Sequence, residues 1–280
     1  MIIQFFLHMT QISILGCGWM GFPLAKSLLQ NGFSVKGSTT STEKLSVLKN
    51  SGIMPFLITL PEGKTTGNLD GFLENSKILI IDIPPKLRGS EKENFVSKIK
   101  NVITFIEKSS TEKVLFISST SVYGDDNLEV TEQTKLNPDT ESGKQLVQAE
   151  QLLQSNPNFK TTILRFGGLI GEDRHPIKFL SGRKNIENPN APINLIHQED
   201  CIGIILEILR KAQNDKLEWN ETFNAVTPFH PSREKYYTQK AIEFKLALPE
   251  FNFENLTFGK KISSSKVENV LKYTFTKPNL

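Results

Sequence analysis

A single stretch decides the fold, Ile12-Ser-Ile-Leu-Gly16-Cys17-Gly18-Trp19-Met20-Gly21-Phe-Pro-Leu-Ala-Lys-Ser-Leu-Leu29. A short run of strand-forming residues leads into G-x-G-x-x-G, and the residues after Gly21 have the apolar spacing of an amphipathic helix. In such a unit Gly16 permits a tight turn, Gly18 lets a phosphate approach the backbone, and Gly21 lets the helix pack on the strand. The stretch therefore predicts a dinucleotide site over residues 16–21, with the phosphates at the helix N-terminus. The alternative is a glycine loop without a ligand.

Strand and helix patterns alternate along the following part of the chain. Apolar runs that predict buried strands are separated by stretches with helical spacing, which is the pattern of a parallel sheet with helical crossovers. We therefore predict an α/β fold, a Rossmann-type doubly wound parallel sheet with a small C-terminal α+β lobe. The predicted strands are 33–37, 54–60, 77–83, 113–117 and 161–166, and the predicted helices are 44–49, 95–107 and 142–154.

The regular pattern loosens beyond Gly171. Residues 174–190 contain two prolines and little periodicity, which predicts a loop-rich excursion. A strand at 193–197, a helix at 198–209 and a strand at 222–226 then return to the sheet pattern. We therefore assign residues 1–172 and 193–227 to an NAD(P)-binding Rossmann domain. Residues 173–192 and 228–280 are assigned to a smaller substrate-side lobe over the carboxyl ends of the strands.

The composition argues against several classes of protein. The chain has 280 residues, 38% hydrophobic and 22% charged, with a net charge of +3, as expected of a globular protein. It has no dense stripe of Lys and Arg and no apolar run of about 18 residues, so we expect neither a nucleic-acid nor a membrane partner. Cys17 and Cys201 cannot build a disulfide framework and predict reduced thiols in the cytoplasm. Residues 1–8 lack the basic region and cleavage site of a signal peptide and are expected to be a short extension. No metal site is predicted, and the oligomeric state is left open.

Three segments beyond the glycine loop resemble motifs of one family. Residues 116–125 contain the run Ser118-Ser119-Thr120-Ser121-Val122-Tyr123-Gly124-Asp125, similar to S-S-x-x-V-Y-G-D at the end of a fifth strand. Residues 164–171 are similar to the family's strand and loop beside the nicotinamide, and residues 193–200 to its segment N-x-I-H-V-x-D. The chain thereby resembles the extended short-chain dehydrogenases/reductases of the NAD-dependent epimerase/dehydratase-like superfamily. The G-x-G-x-x-G spacing and the Pro-Phe-His-Pro-Ser run at residues 228–232 are closer to an atypical subgroup, the YeeZ-like proteins.

The resemblance implies further site residues and an activity. It implies cofactor contacts from Ser118, Gly167 and Gly168, in addition to the glycine loop, and an oxidoreductase or a nucleotide-sugar-modifying enzyme. Each segment also has a structural alternative. Residues 118–121 could simply cap a strand, and His197 could be a hydrogen-bonded core histidine.

The family's Tyr-x-x-x-Lys dyad is the part that this chain does not match. In the family the tyrosine passes a proton to or from the substrate oxygen, the lysine lowers the tyrosine pKa, and a serine orients the oxygen. Aligned on Glu150, the helix has Ser142 in the tyrosine position and Leu146 in the lysine position, while Lys144 faces away. The resemblance implies Ser119 as the orienting serine, and Ser142 is the hydroxyl left as a candidate acid.

Two literal Tyr-x-x-x-Lys matches lie near the C-terminus, at Tyr236/Lys240 and Tyr273/Lys277. Both lie far beyond the strand that must precede the dyad, and such matches arise easily in a lysine-rich chain. We interpret both as chance matches. The alternative is that Tyr236 or Tyr237 reaches the substrate cavity.

The residues after the second strand bear on the choice of cofactor. NAD-preferring sites place Asp or Glu at the end of this strand, where it binds the ribose hydroxyls. Here the chain reads Ser38-Thr39-Thr40-Ser41-Thr42-Glu43-Lys44, with hydroxyls before the first carboxylate. We predict NADP as the cofactor, because these hydroxyls and Lys44 suit a 2′-phosphate, with NAD or a merely solvated turn as alternatives. The turn Ile83-Pro84-Pro85 is expected to flank the adenosine side.

Two functional hypotheses of different classes follow. The first is an NAD(P)-dependent oxidoreductase or epimerase/dehydratase-like enzyme with a non-standard acid, acting on a small molecule such as a nucleotide sugar. The second is an NAD(P)-binding regulator or scaffold without catalysis, motivated by Ser142 and Leu146. The sequence does not name the substrate. Four residues of the C-terminal part could bind an anionic group of the substrate, or could be charged side chains exposed to solvent: Arg174, His175, Arg183 and Arg233.

Overall fold

The alternating pattern forms alternating strands and helices in the computed structural model, which describes residues 10–85, 93–125, 129–214, 216–254 and 259–280. The predicted extension at residues 1–8 lies outside the described residues. The strands are β1 (Gln11–Leu15), β2 (Ser34–Thr39), β3 (Met54–Leu57), β4 (Ile78–Ile81), β5 (Lys113–Ser119), β6 (Glu129–Val130), β7 (Lys160–Phe166), β8 (Gly168–Ile170), β9 (Leu195–His197), β10 (Thr222–Ala225) and β11 (Lys261–Ile262). The α-helices are α1 (Gly21–Gln30), α2 (Glu43–Asn50), α3 (Leu69–Leu73), α4 (Phe95–Ile106), α5 (Glu141–Gln154), α6 (Ile177–Leu180), α7 (Gln198–Gln213) and α8 (Arg233–Glu243).

Seven of these strands form the central sheet, in the order β10-β7-β5-β4-β1-β2-β3. The pairs β1–β2, β1–β4, β2–β3 and β4–β5 are parallel. This order confirms the predicted Rossmann-type α/β fold. The strand order reverses between β1 and β4, and open α/β sheets bind ligands outside the carboxyl ends of the strands at such a switch point. The glycine loop follows β1 and therefore lies at this position.

The middle of the sheet is buried on both faces, as its apolar sequence predicts. Ile14, Ile80 and Leu115 are fully buried on β1, β4 and β5. Ser13 is a buried polar residue among them, and its hydroxyl is 2.6 Å from the carbonyl oxygen of Phe72, to which it donates. The polar group is therefore satisfied inside the core.

The region expected to be a loop-rich excursion contains short regular elements. Helix α6 has four residues, and β8 pairs in parallel with β9. A second small sheet joins β6 and β11, also in parallel. Helix α6, strand β8 and the five-residue helix α3 are too short for a period to be read from sequence, and the sequence does not predict them. Strand β3 is predicted but ends at Leu57 rather than at residue 60.

The chain folds into two compact units, each built from more than one segment. Unit 1 holds the chain up to Ile117 together with Gln148–Ile163 and Glu218–Glu221. Unit 2 holds Ser118–Val147, Leu164–Leu217 and Thr222–Leu280. The predicted domain limits at residues 172, 193 and 227 stay a prediction. Across the described ranges, no helix combines the length and the apolar character needed to span a bilayer.

Candidate functional site

The glycine loop of unit 1 is anchored to the end of β2. The backbone N–H of Cys17 donates to the carbonyl oxygen of Ser38 over 2.8 Å, and the N–H of Gly16 donates to the Ser38 hydroxyl over 2.9 Å. Gly16 has a φ of +111°, which favours glycine. A Cβ on Gly16 would also overlap the carbonyl oxygen of Asp82, just after β4. Only glycine therefore fits where the loop leaves β1.

The other two glycines of the motif have different surroundings. A Cβ on Gly21, the first residue of α1, would overlap the carbonyl oxygen of Gly16 and lie 2.9 Å from Oδ2 of Asp82. Among the described residues, a Cβ on Gly18 would meet no atom within 4 Å, and this residue is exposed. Packing therefore requires Gly16 and Gly21, whereas Gly18 leaves an open approach to the backbone.

A cavity of about 510 Å³ opens beside the loop, formed by residues at the carboxyl ends of β1, β2, β3 and β4. Sites for small molecules and cofactors have volumes of roughly 300–1,000 Å³. The cavity therefore has the size and the position of a ligand site in this fold. Eight of the predicted cofactor residues line it: Gly16, Cys17, Gly18, Ser38, Thr39, Thr40, Ile83 and Pro84.

The residues that form the cavity wall differ in part from the predicted cofactor-binding residues. Within the described residues, Trp19, Met20, Gly21, Ser41 and Pro85 are not part of the wall. Sequence reasoning does not single out other residues that line it, because they come after β3 or β4 or from the start of α4 and carry no motif. The signal that could have found most of them is their position directly after a predicted strand. These residues are Ile58, Thr59, Leu60, Pro61, Asp82, Glu93 and Lys98.

Two titratable groups lie against the glycine loop. The carboxyl of Asp82 accepts the backbone N–H of Gly21, and burial raises the pKa of this carboxyl to about 8, although the hydrogen bond opposes the shift. Burial, with a smaller contribution from Asp82, raises the pKa of the Cys17 thiol to about 12. Both shifts favour the neutral, protonated forms of these groups. In these forms neither group adds a negative charge beside an anionic ligand.

The hydroxyl-bearing and charged residues at the end of β2 and just after it divide into two groups. Ser38 and Thr39 are buried, and each accepts a backbone N–H: Ser38 that of Gly16, and Thr39 that of Ser41 over 3.1 Å. Thr40 and Lys44 are exposed and line the cavity. Ser38 and Thr39 thus hold the loop and the turn, while Thr40 and Lys44 offer polar groups towards a ligand.

Ser119 and Ser142, the candidate catalytic residues, belong to two segments of unit 2 that pack together. Ser119 ends β5, and its Oγ accepts the N–H of Ser121 over 3.1 Å, which caps a 3-10 turn at Thr120–Val122. Ser142 lies in the first turn of α5. A Cβ on its neighbour Gly143 would overlap the carbonyl oxygen of Ser121, so glycine lets α5 begin against this turn. The capping role of Ser119 is observed, and its catalytic role stays a prediction.

Gly167 connects β7 to β8 and Gly168 is the first residue of β8, and packing requires small residues at both positions. The N–H of Gly167 donates to the carbonyl oxygen of Ala225 over 3.1 Å, and that of Gly168 to the carbonyl oxygen of Asn194 over 2.8 Å. A Cβ on Gly167 would lie 2.6 Å from Cγ1 of Val226. Their predicted contact with a cofactor stays a prediction, as does that of Ser118, which is buried.

The tyrosine and the histidine of the family-like segments both have structural partners. Tyr123 is fully buried, donates its hydroxyl to Oδ1 of Asn224 over 2.9 Å, and accepts Nη1 of Arg165 over 2.6 Å. The Nδ1 atom of His197 accepts the N–H of Glu199 over 3.3 Å and caps α7. The structural alternative for His197, a hydrogen-bonded histidine, is therefore observed.

The tyrosines of the two Tyr-x-x-x-Lys matches form hydrogen bonds with other side chains of unit 2. The hydroxyl of Tyr236 is 2.9 Å from Nε2 of His175, and the hydroxyl of Tyr273 donates to Oδ1 of Asp200 over 2.8 Å. Burial raises the pKa of both tyrosines, which disfavours the ionised form that the family's chemistry uses. His175 is itself buried rather than solvent-exposed, and burial and then Lys240 lower its pKa to about 4.

Comparisons with known proteins find one similar family of domains, a curated relative and several solved structures of the same fold. Residues 11–137 match a family described as the NAD binding domain of 6-phosphogluconate dehydrogenase. The chain is 32% identical to Protein YeeZ of Escherichia coli strain K12, over 97% of both proteins. A putative NAD-dependent epimerase/dehydratase from Methylobacillus flagellatus has a TM-score of 0.76 and 21% identity, covering 97% of this chain and 94% of that chain. A UDP-glucuronic acid 4-epimerase from Bacillus cereus, solved with NAD, has a TM-score of 0.76 and 18% identity, covering 95% and 92%. These two structures share the fold.

Proposed function

The chain belongs to the YeeZ-like subgroup of the NAD-dependent epimerase/dehydratase-like short-chain dehydrogenase/reductase superfamily, and on this premise we propose that it binds NADP and acts on a small-molecule substrate. NAD is the alternative cofactor. The proposed activity is that of an oxidoreductase or a nucleotide-sugar-modifying enzyme. The observation that carries the proposal is the cavity at the switch point, with the glycine loop as its wall.

The residues of this cavity fit a dinucleotide. Gly18 leaves its backbone open to the cavity, and Gly16 and Gly21 hold the loop against the N-terminus of α1, which favours a pyrophosphate. Ile83 and Pro84 offer an apolar wall to the adenosine. A bound nicotinamide supplies the capacity to accept or donate a hydride. The protein's part is to bind and orient the two reactants.

Thr40 and Lys44 support NADP over NAD. Both are exposed on the cavity wall, and the first carboxylate after β2 is Glu43, which does not line the cavity within the described residues. A cation and a hydroxyl can bind a 2′-phosphate, whereas an Asp or Glu at this position would repel it.

Ser119 and Ser142 are the proposed catalytic residues. Because Oγ of Ser119 accepts the N–H of Ser121, its own proton can be donated to a substrate oxygen. Ser142 lies in the neighbouring first turn of α5 but has no pKa near neutrality, so it can orient a substrate oxygen rather than titrate. The proposed chemistry therefore does without the family's tyrosine and lysine.

The substrate class and the location in the cell are also proposals. The Bacillus cereus relative is named for UDP-glucuronic acid, which supports a nucleotide sugar as the substrate class. Neither Cys17 nor Cys201 forms a disulfide, and both are buried, which supports a cytoplasmic location.

The second candidate function is a regulator or scaffold that binds the cofactor without turnover. The buried side chain of Leu146, 3% exposed where the family has its lysine, favours this alternative. An apolar, packed environment at this position cannot bring an ammonium group to the ribose.

A turnover screen separates the two candidates. Purified protein with NADP(H) or NAD(H) is mixed with a panel of nucleotide sugars, and both the dihydronicotinamide fluorescence and the conversion of the sugar are followed for wild type, Ser119→Ala and the control Ser121→Ala. We expect turnover of at least one substrate, a loss of roughly 100-fold in kcat for Ser119→Ala, and near-normal rates for Ser121→Ala. Dinucleotide binding without turnover of any substrate would favour the regulator and overturn the proposed catalysis.

A further inference from the structure

One acidic side chain of the cavity wall lies where the glycine loop passes into α1. The backbone N–H of Asp82 donates to the carbonyl oxygen of Leu15 over 2.9 Å, which ties the residue to the end of β1. Its own carbonyl oxygen occupies the place where a Cβ of Gly16 would lie. The backbone of Asp82 is thus held between β1 and the loop, and its side chain points to the start of the helix.

The side chain of Asp82 caps α1 from another strand. The helix has no capping side chain of its own, since Met20 makes no such bond and its first turn contains no acid. The carboxyl of Asp82 accepts the N–H of Gly21, the first residue of the helix. A carboxyl group therefore lies at the helix N-terminus, beside the loop that is proposed to bind a pyrophosphate.

The other charged and titratable groups of the cavity wall do not neutralise this carboxyl. They are the Cys17 thiol of the loop, Lys44 of α2, Glu93 just before α4 and Lys98 in α4. Glu93 and Lys98 form an ion pair with each other. Within the described residues, no Lys or Arg forms an ion pair with Asp82.

Resting on the proposed dinucleotide site, we propose that Asp82 links cofactor binding to a proton. The pyrophosphate binds at the loop when the Asp82 carboxyl is protonated. At a pH at which the free protein has lost this proton, cofactor binding is accompanied by uptake of one proton. Asp82 is thus a specificity-determining residue for an anionic ligand, acting through its own charge.

The physical basis is the repulsion between two anions in a partly dry site. A protonated carboxyl accepts the Gly21 N–H with one oxygen, and its hydroxyl can donate to a phosphate oxygen. An ionised carboxyl would repel the diphosphate at short range. Since burial raises the pKa of Asp82 to about 8, the free protein carries this proton at neutral pH and loses it above pH 8. A bound diphosphate raises this pKa further, so affinity is constant at low pH and falls at high pH.

Calorimetric titration with NADH tests the linkage without activity as the readout. NADH is the probe because it lacks the 2′-phosphate, which would itself titrate. Wild type, Asp82→Asn and the control Glu93→Gln are titrated at pH 6.5 and pH 9, each in two buffers of different ionisation enthalpy. Asparagine keeps the acceptor oxygen for Gly21, and Glu93→Gln removes the other acid of the cavity wall.

We expect the Kd of wild type and of Glu93→Gln to be roughly tenfold higher at pH 9 than at pH 6.5, with uptake of close to one proton at pH 9. For Asp82→Asn, the Kd should differ less than about twofold between the two pH values, and no proton should be taken up at this position. Wild-type binding without pH dependence or proton uptake would overturn the proposal, as would an unchanged pH dependence in Asp82→Asn. If Asp82→Asn fails to fold, the wild-type proton uptake still decides. Absence of NADH binding at every pH would overturn the dinucleotide site itself, and the linkage with it.

Discussion

At the scale of single residues, the three glycines of the loop do different things. Gly16 and Gly21 are required because backbone atoms and the Asp82 side chain occupy the space of a Cβ, whereas Gly18 has open space around it. A substitution at Gly16 or Gly21 would therefore affect both folding and ligand binding, and the two effects could not be separated. Gly18 is the position at which the two can be separated.

The choice between NADP and NAD depends on Lys44. Lys44→Gln should raise the Kd of NADPH by up to about fivefold, ~1 kcal/mol, because it removes an exposed cation from the cavity wall. The Kd of NADH should not change. Both are measured by the fluorescence of the bound dihydronicotinamide.

The matched control is Lys49→Gln, in the last turn of the same helix α2 and outside the described cavity wall. It changes the net charge equally and should leave both dissociation constants unaltered. A preference of the wild type for NADH, or an equal effect of the two variants, would contradict the NADP assignment.

Residues that act through distant partners cannot be predicted from sequence. The position of Ser38 at the end of β2 predicts a contact with the cofactor, but its hydroxyl accepts the N–H of Gly16. Asp82 is not singled out by the sequence, since one acid after a buried strand carries no motif. Its raised pKa depends on burial against α1, which exists only once β4 and β1 are paired.

At the scale of elements, α5 decides whether the family's dyad could be restored. Ser142 and Leu146 are one turn apart on the helix, and Leu146 is 3% exposed, as an apolar environment in the lysine position predicts. The double variant Ser142→Tyr/Leu146→Lys should overpack this region. We expect the free energy of unfolding in urea to fall by about 1–3 kcal/mol and the Kd of NADPH not to improve.

Lys144→Tyr is the control for this variant, since Lys144 lies on the exposed side of the same turn. It should change the free energy of unfolding by less than about 0.5 kcal/mol. A double variant that binds NADPH more tightly with unchanged stability would show that α5 retains the family's site.

Long apolar elements can be predicted from the sequence, and short elements cannot. The buried runs of β1, β4 and β5 and the helical spacing of α4 and α5 determine their own type, because burial on both faces or on one stripe leaves a clear pattern. Elements such as α6 and β8 form only against partners: β8 pairs with β9, and α6 packs on α8. The residues of the candidate site that directly follow a strand with a sequence motif are predicted. The residues whose place in the site depends on contacts between distant elements are missed.

At the scale of the whole molecule, Asp200 fastens the C-terminal segment to α7. This fully buried carboxylate accepts the Tyr273 hydroxyl and both the N–H and the hydroxyl of Thr276 at Oδ1, and the N–H of Lys277 at Oδ2. Asp200→Asn replaces one carboxylate oxygen, which accepts hydrogen bonds, by an amide NH2 group, which would face a hydrogen-bond donor of the C-terminal segment. The free energy of unfolding should fall by about 2–4 kcal/mol, and proteolysis should cleave first within residues 272–280.

Glu199→Gln is the control for Asp200→Asn. Glu199 lies next to Asp200 and forms an exposed ion pair with Lys277 at 3.3 Å, so its loss should cost less than about 1 kcal/mol. Equal stability losses in the two variants would show that the hydrogen bonds of Asp200 do not hold the segment.

Dinucleotide binding by Gly18→Asp tests whether the glycine loop is the site on which the proposed function depends. The new side chain has room, so the melting temperature should stay close to that of wild type. Its carboxylate would meet the pyrophosphate, and the Kd for NADPH and NADH should rise at least about 100-fold, ~2.7 kcal/mol. The control is Gly63→Asp, at another exposed glycine with open space around it. Calorimetric titration should give wild-type affinity for Gly63→Asp and no measurable binding for folded Gly18→Asp, whereas equal binding by wild type and Gly18→Asp would contradict a dinucleotide site at this loop.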